Sequence, residues 1–234
     1  MQFSFDNATG LNTKSGAITT ARKYLIIKQG NTSKLCWADP KIYLQSSGTQ
    51  YIDSGVYGNN NTDYALSWQQ TSTSGYFAVM GARTSSSSNR LSVIIGEPGN
   101  ADKILWVNNY SDSSSYQATF NTTAYQRRYL QKKGTLVTLN GADKTISNAT
   151  AYTTPVTLKL FVLDTNGTLS NYFTGKFYYC KLYNNNALVR HFVPVPAGMV
   201  IGNTTISAPC LFDIVSQTPY YNAGSGAFTY GKEN

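Results

Sequence analysis

Between Ile42 and Tyr230, turn chemistry interrupts the chain roughly every dozen residues. Ser46-Ser47-Gly48, Ser74-Gly75, Ser85–Ser88, Glu97-Pro98-Gly99-Asn100, Lys133-Gly134, Asn140-Gly141 and Asp164-Thr165-Asn166-Gly167 are the punctuation. The stretches between them carry no convincing helical pattern. Strands are expected at Ile42–Leu44, Gln50–Ile52, Asp63–Trp68, Tyr76–Gly81, Arg90–Ile95, Ile104–Val107, Tyr116–Phe120, Arg128–Lys132, Thr135–Leu139, Lys144–Ile146, Thr157–Leu163, Leu211–Val215 and Ala227–Tyr230. Short strands at even spacing with frequent turns argue for an all-β fold, a two-sheet sandwich or a jelly roll. No exact internal repeat is visible, which argues against a propeller or solenoid.

The plainest hairpin is Gly175–Val195, GKFYYCKLYNNNALVRHFVPV. Its first strand is rich in aromatic residues, and Asn184-Asn185-Asn186 tolerates the left-handed backbone of a tight turn. The returning strand sets Leu188, Arg190 and Phe192 on one face and Val189, His191 and Val193 on the other. Pro194 and Pro196 are expected to end any central pairing, because proline brings no ladder donor.

Charged residues make up only 13% of the 234-residue chain, so Ser, Thr, Asn, Gln and the 18 Tyr must supply the polar surface. That palette suits strands and turns. The net charge of +8 reflects scarce acids, and no run of five bases exists. Solubilising charge is one reading, and weak attraction to acidic polymers or to an acidic protein is the other. Cys36, Cys180 and Cys210 are too few and too far apart for a disulfide framework or a zinc site. Cys180 reads as a buried thiol; a Cys180–Cys210 bridge is left open.

Residues 1–41 differ in composition from the rest of the chain. They hold six bases (Lys14, Arg22, Lys23, Lys28, Lys34, Lys41) against Asp6 and Asp39. Tyr24–Ile27 and Lys34–Trp37 look like two short strands around Gln29-Gly30-Asn31. Two readings stand side by side. One is a small β-arm folded onto the main domain. The other is an anchoring or oligomerisation arm, with Phe3, Phe5, Arg22 and Lys23 as its contact residues. Asp39-Pro40 marks the boundary with a second unit, residues 42–234. The start, MQFSFDNATGLNTKSG, has no charged n-region and no apolar h-region, so the expectation is no secretory signal and a start in a cytoplasm. No apolar run approaches the ~18 residues of a membrane span.

Catalysis by paired carboxylates finds little support. No two acids lie closer in sequence than Glu97 and Asp102, whereas a retaining pair must sit about 5–5.5 Å apart in space. His191 is the only histidine and sits at an alternating strand position, where packing explains it. No G-x-S-x-G elbow, phosphate loop or dinucleotide fingerprint occurs. Asp102, Asp112 and Asp164 sit near predicted loops but form no D-x-D-x-D cluster, so the expected cofactor is none, with calcium the one to watch. Arg127-Arg128-Tyr129 with Lys132-Lys133 mixes bases and aromatics as single-strand binders do. A charged edge strand explains it better, and no nucleic-acid partner is expected. Glycan binding needs aromatic platforms beside planar amides and hydroxyls. Trp106, Asn109 and Tyr110 offer these, and Arg83 and Tyr125 complete the candidate set; Trp68-Gln69-Gln70 is similar in composition.

Three stretches carry a family resemblance: Gln45–Gly55, the Gly175–Pro194 hairpin, and Leu211-Phe212-Asp213 through Tyr221-Asn222-Ala223-Gly224-Ser225-Gly226. In order and spacing, residues 42–231 resemble the concanavalin A-like, laminin-G-like jelly-roll domains of phage virion proteins and gut-bacterial surface proteins. That group commonly has an acid where His191 stands. The resemblance implies a concanavalin A-like sandwich in a non-catalytic structural or adhesion protein of a phage particle: a head fibre, tail fibre or capsid decoration. It would assemble in the host cytoplasm, contact other virion proteins through the arm, form homo-oligomers and meet a host-surface glycan without inserting into a membrane. The alternative is a secreted or surface carbohydrate-binding module of a bacterium. The third reading is a glycoside hydrolase.

Overall fold

The computed structural model describes residues 2–6, 24–29, 32–73, 75–96, 104–112, 117–123, 125–147 and 150–234. Among them every regular element is a β-strand. Two sheets face each other across one apolar core, making an all-β jelly-roll sandwich. The larger sheet runs Ala142–Thr145, Leu136–Leu139, Arg127–Lys133, Thr62–Gln70, Thr174–Asn184, Ala187–Val195, Cys210–Asp213, Thr218–Tyr220. Ile42–Ser47 shares an edge of Thr174–Asn184 with Ala187–Val195, and Thr229–Lys232 pairs beyond it. The smaller sheet runs Gln117–Asn121, Ile104–Tyr110, Arg90–Ile95, Phe77–Arg83, Thr153–Leu160, Ile52–Asn59. Named strand pairs are antiparallel, save that Leu163–Thr165 lies parallel to Phe77–Arg83.

Alternation explains the core. Leu66 and Trp68, then Phe177, Cys180 and Leu182, face inward from the larger sheet. Val79, Leu91, Val93, Leu105, Val107 and Leu158 meet them from the smaller one. Each fully buried side chain of this size contributes ~1.5–3 kcal/mol before entropy. Phe161 turns the chain from the antiparallel to the parallel partner of Phe77–Arg83. It does so at φ 70°, a left-handed conformation costly for an L-residue. Its ring sits 4.8 Å from those of Phe177 and Phe228, and this aromatic cluster holds the bend.

The hairpin turns through Asn185 and Asn186, both at positive φ, as its asparagines require. Two other motifs of the resemblance meet in space. Ala223 N donates to Tyr51 O at 2.9 Å, Ser225 N to Thr49 O at 3.2 Å, and Tyr51 N to Asn222 Oδ1 at 3.1 Å. A Cβ at Gly224 would lie 2.3 Å from Thr49 O, so the closing turn needs glycine for close approach.

The structure corrects two expectations. Pro194 does not end the pairing: it sits opposite Leu211, and the strand continues to Val195. Its carbonyl accepts the Tyr24 hydroxyl at 2.8 Å. Arg127–Lys133 is not an edge strand but lies between Leu136–Leu139 and Thr62–Gln70, with Arg128 and Lys132 buried.

Strands Gln2–Asp6, Tyr24–Gln29 and Thr32–Ala38 form a separate sheet. Tyr24, Ile26 and Leu35 pack on Val193, Val195, Cys210 and Phe212, on the outer face of the larger sheet. Gln217 clips the arm down, donating to Leu35 O at 2.8 Å and accepting from Leu35 N at 2.9 Å. The arm thus covers its own sandwich through Tyr24, Ile26 and Leu35. Arg22 and Lys23, and the side chains of Phe3 and Phe5, lie outside the described residues, as does the Cys36 side chain. Cys180 and Cys210 are free thiols in separate apolar clusters, and burial raises the pKa of both.

Candidate functional site

The outer face of the smaller sheet is built by strand parity. In Arg90–Ile95 and Ile104–Tyr110, Leu91, Val93, Ile95, Leu105 and Val107 enter the core. Arg90, Ser92, Ile94, Trp106, Asn108 and Tyr110 therefore point the other way. The register sets Ile94 opposite Trp106, Ser92 opposite Asn108 and Arg90 opposite Tyr110. Gln117 lies on the far side of Asn108. A cleft of about 390 Å³ opens there, lined by Tyr76, Arg83, Arg90, Ile94, Gly96, Trp106, Asn108, Gln117 and Asn171. Ala78, Ile94 and Leu163 form the apolar patch on which half-buried Trp106 rests.

The cleft is rich in fixed donors. Arg90 donates to Ser92 Oγ at 2.9 Å, to Tyr110 Oη at 3.1 Å and to Ser86 O at 3.2 Å. Tyr110 Oη itself donates to Ser86 O at 2.9 Å. Arg83 Nε donates to Thr165 Oγ1 at 2.8 Å. Burial first, and then the neighbouring Arg90 charge, lower the Arg83 pKa below the usual arginine value. Among the described residues no carboxylate forms an ion pair with Arg83 or Arg90. Asn108 is 1% exposed and donates to Ser92 Oγ at 3.2 Å, yet among the described residues its Oδ1 has no partner.

Of the sequence candidates, Arg83 and Trp106 line this cleft, and Tyr110 supports it through Arg90. Asn109 faces the other way, where its side chain accepts the Tyr152 hydroxyl at 2.5 Å and donates to Asn60 O at 3.4 Å. Tyr125 sits in a turn that leads into the larger sheet, and its carbonyl accepts from Gln69 Nε2 at 2.6 Å. Neither reaches the cleft. Trp68 is a core residue. Arg90, Gln117 and Tyr76 are not singled out by the sequence, and Asn108 stands in the Trp106–Tyr110 stretch without being chosen as its amide.

The acids among the described residues are engaged elsewhere. Lys159 Nζ lies 2.7 Å from Asp53 Oδ2 and 3.8 Å from Asp164 Oδ2, so these carboxylates meet around an ammonium. Burial works to raise the Asp53 pKa, but hydrogen bonds from Lys159, Thr157 and Gly55 outweigh it and hold the carboxyl below its usual value. Asp213 pairs with Arg190, Asp39 with Lys232, and Glu233 with Arg127 and Lys176. Exposed Asp112 accepts from Ser111. Among the described residues no three His, Cys, Asp or Glu cluster to hold a metal ion; Asp102 lies outside them. His191 is pushed down to about 4, chiefly by burial and then by Lys181, with Asp213 opposing.

No family model matches the chain, and no curated protein matches it. Among solved structures it is similar to the CBM40 of the Ruminococcus gnavus IT-sialidase bound to alpha2,3 sialyllactose. Identity is 13%, covering 60% of this chain and 88% of that one, with a TM-score of 0.41. The sandwich fold stands on the strand pairing itself.

Proposed function

We propose that this chain is a non-catalytic glycan-binding sandwich whose sugar sits in the cleft over Trp106. One observation carries the reading: a half-buried indole lies beside fixed guanidinium, amide and hydroxyl groups on an open sheet face. An aromatic face takes the C–H side of a pyranose while polar neighbours orient its hydroxyls. The non-catalytic part is supported by the acids that carry bases as partners. Asp53 and Asp164 are near neighbours, but they meet around Lys159 as its ion-pair partners, whereas the paired carboxyls of a glycosidase flank a scissile bond.

The setting on a phage particle rests on the resemblance of residues 42–231 alone. Co-purification with virions separates it from a bacterial surface module. The glycan reading is tested by a glycan array probed with the full chain and with Trp106→Ala. Binding to a defined subset of glycans, weakened about tenfold or more by Trp106→Ala, is expected. An array without signal, or an unchanged Trp106→Ala profile, overturns it.

A further inference from the structure

Several bases of the sandwich are neutralised from within the molecule: Lys132 by Asp63, Lys159 by Asp53, Arg190 by Asp213, Lys232 by Asp39. The cleft departs from this habit. Arg83 and Arg90 line the same hollow, repel one another, and have no carboxylate partner among the described residues. Two like charges in a half-buried site are unfavourable unless an opposite charge offsets them.

We propose that the cleft selects an anionic sugar, its carboxylate or sulfate received by Arg83 and Arg90. The proposal rests on the glycan reading and narrows its ligand. Arg90 is held in place before any ligand arrives, by Tyr110, Ser92 and the Ser86 carbonyl. With Nε and Nη1 so engaged, Nη2 is the group left to donate, and a preset donor loses little freedom when it meets an oxyanion. Among the described residues Arg83 has its Nε alone committed, to Thr165, which leaves its terminal N–H groups to donate.

A second observation points the same way. Asn108 is buried, lines the cleft, and keeps an acceptor without a donor among the described residues. An orphaned buried acceptor is costly. A hydroxyl or acylamino N–H on the sugar ring satisfies it while the acidic group reaches the arginines. The bound sugar therefore carries both an anion and a donor, with one apolar face towards Trp106. The overall +8 charge speeds the approach of such a ligand.

The test is titration calorimetry on the full chain with three matched oligosaccharides: carboxylated, sulfated, and neutral with the carboxyl reduced to an alcohol. The acidic sugars are expected to bind at least about tenfold more tightly than the neutral one. Their affinity should fall as NaCl rises from about 50 to about 300 mM. A carboxylate-over-sulfate preference, or its reverse, identifies the source of the anion. Arg83→Gln and Arg90→Gln should each abolish the acidic preference, so that acidic and neutral sugars bind the same variant within about twofold of one another. Arg83→Lys, which keeps the charge but loses the fork, should retain part of it; thermal melts establish that each variant is folded. Equal binding of acidic and neutral sugars, or an acidic preference untouched by both glutamine variants, overturns the proposal and leaves glycan binding standing. Failure of all three sugars, with a silent glycan array, overturns the glycan reading and the proposal with it.

Discussion

Lys132 Nζ lies 2.9 Å from Asp63 Oδ1, inside the larger sheet, with the lysine side chain wholly buried. The ammonium also donates to Thr62 O at 2.9 Å, and Gly134 N donates to the same Asp63 oxygen. Burial lowers the Lys132 pKa, and Asp63 works against it. Removing one charge leaves the other buried without its counterion, at about 3–5 kcal/mol. Lys132→Met and Asp63→Asn should each destabilise by about 3 kcal/mol, and the double variant by less than the sum. Urea unfolding of all three measures the coupling.

His191 makes stability depend on pH in a separate window. Its folded pKa of about 4 lies below the ordinary histidine value near 6.5. The unfolded chain therefore takes up this proton first. Stability should be full above about pH 6.5, fall as pH drops towards 4, and lose nothing more from this group below that. Since the ring is only half-buried, solvent screening limits the loss to about 1–2 kcal/mol. Asp39 and Asp53 have lowered pKa values and act at more acidic pH. His191→Gln should flatten the profile between about pH 6.5 and 4.5 in urea midpoints; an unchanged slope contradicts the assignment.

Gly175 is a steric requirement. A Cβ there would lie 2.3 Å from Gln69 O and 2.6 Å from Phe173 Cζ. The Gln69 carbonyl belongs to a paired strand and cannot step aside. Gly175→Ala should cost about 3 kcal/mol or more. Gly141→Ala is the control. With φ +86° and nothing within 4 Å, it bears only backbone strain, of about 1–2 kcal/mol. Thermal melts should rank the two clearly.

The arm is held by both apolar and polar contacts. Tyr24→Phe loses the hydrogen bond to Pro194 O and should cost about 1 kcal/mol. Removing residues 1–38 uncovers Val193, Val195 and Phe212. Raised binding of a hydrophobic dye, with the sandwich still folded, is the expected outcome. Loss of residues 1–20 is the separate test of anchoring: it should stop assembly while leaving a folded domain, and normal assembly sinks that idea.

Local chemistry made most strands legible. Asn-Gly and Asp-Thr-Asn-Gly turns mark chain reversals, and alternation marks faces, so Arg90–Ile95 is the same segment in both readings. Parity also separates Asn108 from Asn109: the first shares a face with Trp106 and Tyr110, the second does not. The amide chosen from composition was the wrong-facing neighbour. Arg90 was harder to find. Its place beside Tyr110 depends on cross-strand register, which a non-local pairing sets and no single strand announces. The central position of Arg127–Lys133 was hidden for a related reason. Lys132 looks like a surface base until its buried partner, Asp63, is brought up from far along the chain.

Ile42–Ser47 gains both its neighbours late. One is Thr174–Asn184 and the other is Thr229–Lys232. On the ribosome this strand is made early and waits with two open edges until those segments emerge. A nascent chain halted before Thr229 still presents one of them, an invitation to borrow the missing strand from a second copy. The order of synthesis thus makes the sandwich's seam its point of exposure to domain exchange.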